Sequence, residues 1–190
     1  MKIDNMLSEE RILANLKAHL AYIGEDPNRE GLQQTPKRVL KSWGELYAGY
    51  KQDPADIFTV FESEGYDQII LLKGVEMYST CEHHMITFSG KAHIAYIPNE
   101  KIVGISKLAR LLDIYAKRLQ IQERIGKQVT DALERYLKPK GSACIIEAKH
   151  LCMCARGVEK QNSIMLTSSL TGVFLNDASA KSELLTLIKL

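Results

Sequence analysis

Residues 86–97, ITFSGKAHIAYI, decide the fold class. Ile86, Phe88, Gly90, Ala92, Ile94 and Tyr96 fall on one side of an extended chain, and Thr87, Ser89, Lys91 and His93 on the other. Alternation with period two marks a half-buried strand, because successive Cβ atoms point to opposite faces. Toward the C-terminus, Pro98-Asn99-Glu100 reads as a turn. A helix then starts near Ser106, its expected N-cap, and carries Leu108, Leu111, Leu112 and Tyr115. A second helix carries Ile125, Val129, Leu133 and Tyr136 and stops before Lys138-Pro139-Lys140-Gly141. Ser142–Ala148 and Ser163–Leu170 read as two further strands, and a short helix closes the chain. Toward the N-terminus, QIILLKG (68–74) is a short apolar run and reads as a strand. Paired strands flanking paired helices predict an α+β fold with an antiparallel sheet.

The first third has a different period. Leu7, Ile12, Leu13, Leu16, Leu20 and Ile23 form one stripe at helical spacing, which Gly24 and EDPNREG interrupt. Thr35-Pro36 reads as the next helix start, with Thr35 as cap. Val39, Leu40, Trp43, Leu46 and Tyr47 line one face of that helix, and Arg38 and Lys41 the other. This predicts an N-terminal helical region over residues 1–65 and a main domain over 66–190.

Composition excludes several classes. Of 190 residues, 45% are apolar and 25% charged, which is ordinary for a globular chain and excludes wholesale disorder. A net charge of +2 is no footprint for nucleic acid. No run approaches the roughly 18–20 apolar residues of a membrane span, and MKIDNMLSEERILANL carries acids where a signal peptide needs an apolar run. A cytoplasmic protein is expected. Its four cysteines, Cys81, Cys144, Cys152 and Cys154, are then thiols or metal ligands rather than disulfides.

Two short segments concentrate the chemistry. Cys81-Glu82-His83-His84 contains C-x-x-H, a spacing that lets one turn present thiolate and imidazole to one metal. His150-Leu151-Cys152-Met153-Cys154 follows a predicted strand, so that its three donors can share a face. Zinc suits mixed sulfur and nitrogen ligands, and three protein ligands would leave a fourth position for water. Surplus histidines would then serve as proton carriers. The plain alternative is buried thiols beside surface histidines. Ser106-Lys107-Leu108-Ala109-Arg110 offers amides, a Lys and an Arg for an anion, or else an ordinary solvated helix start. Gln122-Glu123 can be a polar recognition pair, or acid placement favoured by the helix dipole. Arg156 beside Gly157 can bind phosphate or pair with a surface carboxylate. No P-loop pattern occurs.

Taken together, GEDPNREGLQQTPKRV, STCEHHM, KAHIAYIPNEKIVGISKLARL, QIQERI, KHLCMCARGV and TSSLTGVF, in this order from about residue 24 to 174, resemble the GTP cyclohydrolase I family. The resemblance implies conversion of GTP and water to 7,8-dihydroneopterin triphosphate and formate, the entry to pterin and folate synthesis. It also implies the tunnelling (T-) fold, whose antiparallel sheets close into a barrel across subunits, and a homodecamer of two pentamers. By position, Cys81, His84 and Cys152 resemble the zinc ligands, and His83 and His150 the acid–base pair. Glu123, with Gln122, resembles the guanine-reading position, supplied across a subunit boundary. Lys107, Arg110 and Arg156 resemble the triphosphate binders, joined by Arg38 and Lys41. Ser106 matches a position of the later rearrangement. The first 23 residues match no family segment, and Met85, Leu151 and Cys154 depart from the pattern. Other readings are a nitrile reductase of queuosine synthesis on the same fold, an inactive homologue that acts as a binding protein, and a structural zinc module closed by Cys81, His84, Cys152 and Cys154.

Overall fold

The computed structural model describes residues 8–190, so Leu7, the first member of the N-terminal stripe, lies outside the described residues. The chain divides into two compact units, one ending at Tyr47 and one spanning Ala48–Leu190. In the first, α1 (Glu9–Tyr22) is capped by Ser8, whose hydroxyl accepts from the Arg11 N–H at 3.4 Å, and Glu9 and Glu10 sit at its positive end. Gly24, at φ +94°, follows the helix in the left-handed conformation that its lack of a Cβ permits. The second helix, α2 (Thr35–Leu46), begins at Thr35 itself, so its cap is Gln34 rather than Thr35. The first helical N–H groups have no intrahelical acceptor, so a helix can start one residue before proline without losing a hydrogen bond. Arg38 and Lys41 are exposed on α2.

The second unit is the α+β body. In chain order it contains β1 (Val60–Glu62), β2 (Ile70–Cys81), β3 (Thr87–Ile97), β4 (Lys101–Val103), α3 (Ile105–Ala116), β5 (Leu119–Gln120), α4 (Gln122–Leu137), β6 (Gly141–His150), α5 (Leu151–Cys154), β7 (Met165–Leu170), α6 (Gly172–Asn176) and α7 (Ala178–Lys189). One sheet has the order β5-β2-β3-β6-β7, antiparallel except for the short β5–β2 pairing, and β1 pairs with β4. The apolar side of 86–97 is the core face: Phe88, Ala92, Ile94 and Tyr96 are buried against Leu108, Leu111 and Leu112 of α3 and Ile125, Val129 and Leu133 of α4. Gly90 breaks the apolar series for lack of space, since a Cβ there would stand 1.9 Å from the Glu147 carbonyl oxygen of β6.

The second unit also differs from the sequence expectation. Strand β2 runs on through GVEMYSTC to Cys81, because a register shift between Leu72 and Val75 absorbs the break in its pattern. Gly74, at φ +72°, lies within that shift, and its N–H donates to His93 Nδ1 at 3.3 Å. His93, expected on the wet face, is therefore buried, and burial pushes its pKa down. The sheet's second face is in part dry as well: Ala95, Ala143 and Ile145 pack with Phe174 of α6 and Leu184 of α7. Finally, α3 starts at Ile105 with Gly104 as cap, so Ser106 lies inside the first turn and makes no cap bond. No described helix is long and apolar enough to cross a membrane.

Candidate active site

The β2–β3 connection delivers the first donors. The Met85 N–H donates to the Cys81 carbonyl at 2.8 Å and the Cys81 N–H to the Ile86 carbonyl at 2.9 Å, folding residues 81–86 into a tight turn. Met85 takes φ +54°, a left-handed conformation uncommon for a residue with a Cβ. The turn places His83 Nδ1 and His84 Nδ1 each 3.8 Å from Cys81 Sγ. Glu82 anchors it to α4 and β5: its two carboxylate oxygens meet Arg124 Nη1 and Nη2 of α4 at 2.5 and 3.0 Å, and its N–H donates to the Gln120 carbonyl of β5 at 3.0 Å. The Arg124 guanidinium holds the Glu82 carboxyl below its usual range.

Strand β6 delivers the second group. His150 pairs with Phe88 in the ladder and stacks on its ring, centroids 4.5 Å apart and planes 4° apart. Its Nε2 lies 2.9 Å from Gln122 Oε1. Burial pushes the His150 pKa down, with nearby Glu123 opposing. Gln122 is fully buried, and its amide nitrogen donates to Ile146 O, Met165 O and Thr167 Oγ1 at 2.9, 3.1 and 3.0 Å.

After His150 the chain turns helical, and this separates the two downstream thiols. Cys152 joins Cys81 and His84, with all three donor atoms within 4.8 Å of one another. Cys154 does not join them; its thiol donates to the Lys160 carbonyl at 3.4 Å. In a strand, residues two apart share a face, whereas in a helix they stand about 200° apart, so the expected common face of Cys152 and Cys154 does not exist.

The donor set fits a metal. Bond lengths of about 2.3 Å to sulfur and about 2.0 Å to nitrogen give a tetrahedral S···N edge of about 3.5 Å, near the 3.8 Å between Cys81 Sγ and His84 Nδ1. Burial first, and then the neighbouring Cys81 thiol, push the Cys152 thiol above its ordinary pKa. Two thiolates so placed need a compensating cation. Arg156 Nη1 lies 3.3 Å from His84 Nε2. A guanidinium only donates, so Nε2 accepts and the hydrogen sits on Nδ1. That contact and ligation through Nδ1 exclude one another, so a bound metal would release the Arg156 guanidinium.

The remaining residues predicted from sequence lie on helices. Ser106, Lys107 and Arg110 occupy the first turns of α3 and make no hydrogen bond to the Cys81-His84-Cys152 group among the described residues. Arg110 borders a cavity of about 380 Å³ with Gln52, Asp113 and Lys117. Glu123 is exposed on the first turn of α4, and with Gly126, Lys127 and Thr167–Ser169 it lines a cavity of about 340 Å³. No chemical role for Glu82 or Arg124 is legible in the sequence, and Phe88 reads there only as a core residue of β3. The one signal available for the first two was opposite charges inside the CEHH and QIQERI motifs.

Residues 12–189 match the family model described as GTP cyclohydrolase I. The match begins within the first 23 residues, which carry none of the family motifs quoted above. A GTP cyclohydrolase 1 from Wolinella succinogenes is 55% identical over 163 residues, 85% of this chain and 87% of its own length. One from Chlorobium chlorochromatii is 47% identical over 187 residues, 98% of this chain and 84% of its own. The solved structure of archaeosine synthase QueF-Like in the apo form overlaps with a TM-score of 0.44 at 13% identity, covering 55% of this chain and 94% of that one.

Proposed function

The chain belongs to the GTP cyclohydrolase I family, and from that premise we propose that it hydrolyses GTP at guanine C8, opens the ring, releases formate and recloses the product to 7,8-dihydroneopterin triphosphate. The observation that carries the reading is the convergence of Cys81 and His84 from one segment with Cys152 from another, 68 residues further along the chain than His84, into one donor group. We assign Cys81, His84 and Cys152 as ligands of Zn2+. Zinc held there supplies Lewis acidity, which brings the pKa of water toward neutrality.

The chain's own residues would do the rest. Glu123 would accept from the N1–H and exocyclic amine of guanine together, a pairing adenine cannot offer, and the cavity beside it supports that placement. His83 and His150 would move protons at the five-membered ring, whose C8 is a poor electrophile until N7 is protonated. Lys107, Arg110 and Arg156 would hold the triphosphate, joined by Arg38 and Lys41, because about four negative charges need several cationic partners. Ser106 would act in the later rearrangement. All of these residues except Arg38 and Lys41 lie beyond residue 65, in the stretch 66–190 taken as the catalytic domain.

The T-fold, a barrel closed between chains and a decamer of two pentamers complete the proposal. Support comes from β7, an edge strand that exposes Met165 and Leu166. A reducing compartment, the cytoplasm, suits a site built on two thiolates. The test is incubation of zinc-loaded protein with GTP. Formate release and a fluorescent pterin after oxidation are expected, and the absence of both would refute the reading.

A further inference from the structure

Gln122 is the most heavily bonded side chain at the site, and its bonds determine where a hydrogen sits. Three acceptors surround its amide nitrogen: Ile146 O on β6, and Met165 O and Thr167 Oγ1 on β7. Backbone carbonyls only accept, so the group facing them is the NH2, and the amide oxygen must face His150. That oxygen also only accepts, so the His150 nitrogen 2.9 Å away, Nε2, must carry hydrogen. Turning the amide over would set its oxygen against two carbonyl oxygens in a fully buried position, leaving polar atoms unpaired. The ring of His150 is held in turn by its parallel stack on Phe88.

We propose that Gln122 is a positioning residue that locks the neutral ring of His150 in the Nε2–H tautomer and so leaves Nδ1 as its free lone pair. The inference rests on the acid–base reading of His150 above, and it moves Gln122 from the guanine edge to the histidine. In the neutral ring, the Nδ1 lone pair takes a proton and forms an imidazolium whose Nε2–H still donates to Gln122. Release of that proton from Nδ1 restores the starting tautomer. The Gln122 bond persists in both states, so the ring need not turn over between taking and giving the proton. Both amide hydrogens of Gln122 are already engaged, which leaves it no donor for guanine.

Neutron diffraction from deuterated, zinc-loaded crystals at a pH where His150 is neutral reads this directly. Deuterium on His150 Nε2, with a bare Nδ1, is expected; deuterium on Nδ1 and a bare Nε2 overturns the proposal. Kinetics give a second reading through Gln122→Met, which keeps the volume but removes the acceptor. Parental zinc content, a KM for GTP within about threefold and a kcat lowered at least about tenfold are expected, since a histidine freed to take the wrong tautomer loses far more in the Ser-His-Asp enzymes. A raised KM with unchanged kcat would mark a guanine contact and refute the lock, and so would an unchanged kcat and KM. His150→Ala is measured alongside: if it turns over GTP at the parental rate, the acid–base reading itself fails. If Gln122→Met does not fold, the neutron map decides alone.

Discussion

The Cys81–Met85 turn, with one thiol and two histidines, and the β6–α5 junction, with His150 and Cys152, hold their side chains by opposite means. The turn is tied from outside. Its anchor is the Glu82–Arg124 fork at the surface, and the side chain of His83 is 64% exposed, with the Glu82 carboxylate 4.0 Å away. The junction is held from within, where His150 lies stacked on Phe88 and hydrogen-bonded to a fully buried Gln122. The first turn of α4 serves both, because Gln122 reaches one region, Arg124 the other, and Glu123 between them stays exposed. A fixed ring determines at which atom a proton is carried, and an exposed ring can exchange protons with solvent. One helix start thus sets two histidines in different physical regimes.

The largest expected effect breaks the comparison outright. Cys152→Ser should lose both metal and turnover, because two remaining donors do not retain zinc against water; metal analysis that finds parental zinc in this variant would refute the ligand assignment. Glu123→Ala should follow, with a loss of about 2–4 kcal/mol of transition-state stabilisation in kcat/KM for GTP. A folded, zinc-loaded variant with parental kcat/KM would remove Glu123 from the guanine site.

His83→Ala sharpens the contrast between the two histidines. It should keep zinc and lower turnover by about a hundredfold; if zinc is lost instead, His83 and His84 have exchanged roles. Arg124→Ala tests the outer anchor, and a roughly tenfold weaker retention of zinc against a chelator is expected, as for other groups that orient ligands from behind. Arg124→Lys should recover only part of this, since an ammonium cannot fork across a carboxylate. Cys154→Ser should change least, keeping zinc and turnover near parental, because its thiol faces the Lys160 carbonyl. Absorption of a cobalt-substituted sample would count the thiolates, with two expected; a third, together with metal loss in Cys154→Ser, would indicate a closed structural site.

Much of this was legible in the residues. The alternation over 86–97 identified β3, and the periodic leucines from Leu108 and the run from Ile125 identified α3 and α4. The misreadings came where a local rule competed with packing. Ser106 looked like a cap, but Gly104 precedes the helix and the hydroxyl is left inside its first turn. His93 looked wet, but the register shift in β2 brings the Gly74 N–H onto it. Strand β2 was seen only in part, because its continuation lacks the clean alternation that periodicity detects.

The sequence by itself determined the main strands and helices, the family and the inventory of donors, because periodicity and motif spacing are local properties of the chain. Spacing alone did not determine which donors meet: the family resemblance singles out Cys81, His84 and Cys152 without a physical reason. Cys152 and Cys154 are equivalent by spacing, and only the change from strand to helix after His150 sends one to Cys81 and His84 and the other to a loop carbonyl. Nor does any pattern reveal that Gln122 spans β6 and β7 to reach His150, 28 residues away, or that Arg124 grips Glu82 across 42. Such pairings follow from sheet register and helix placement, which the packing of the whole core sets.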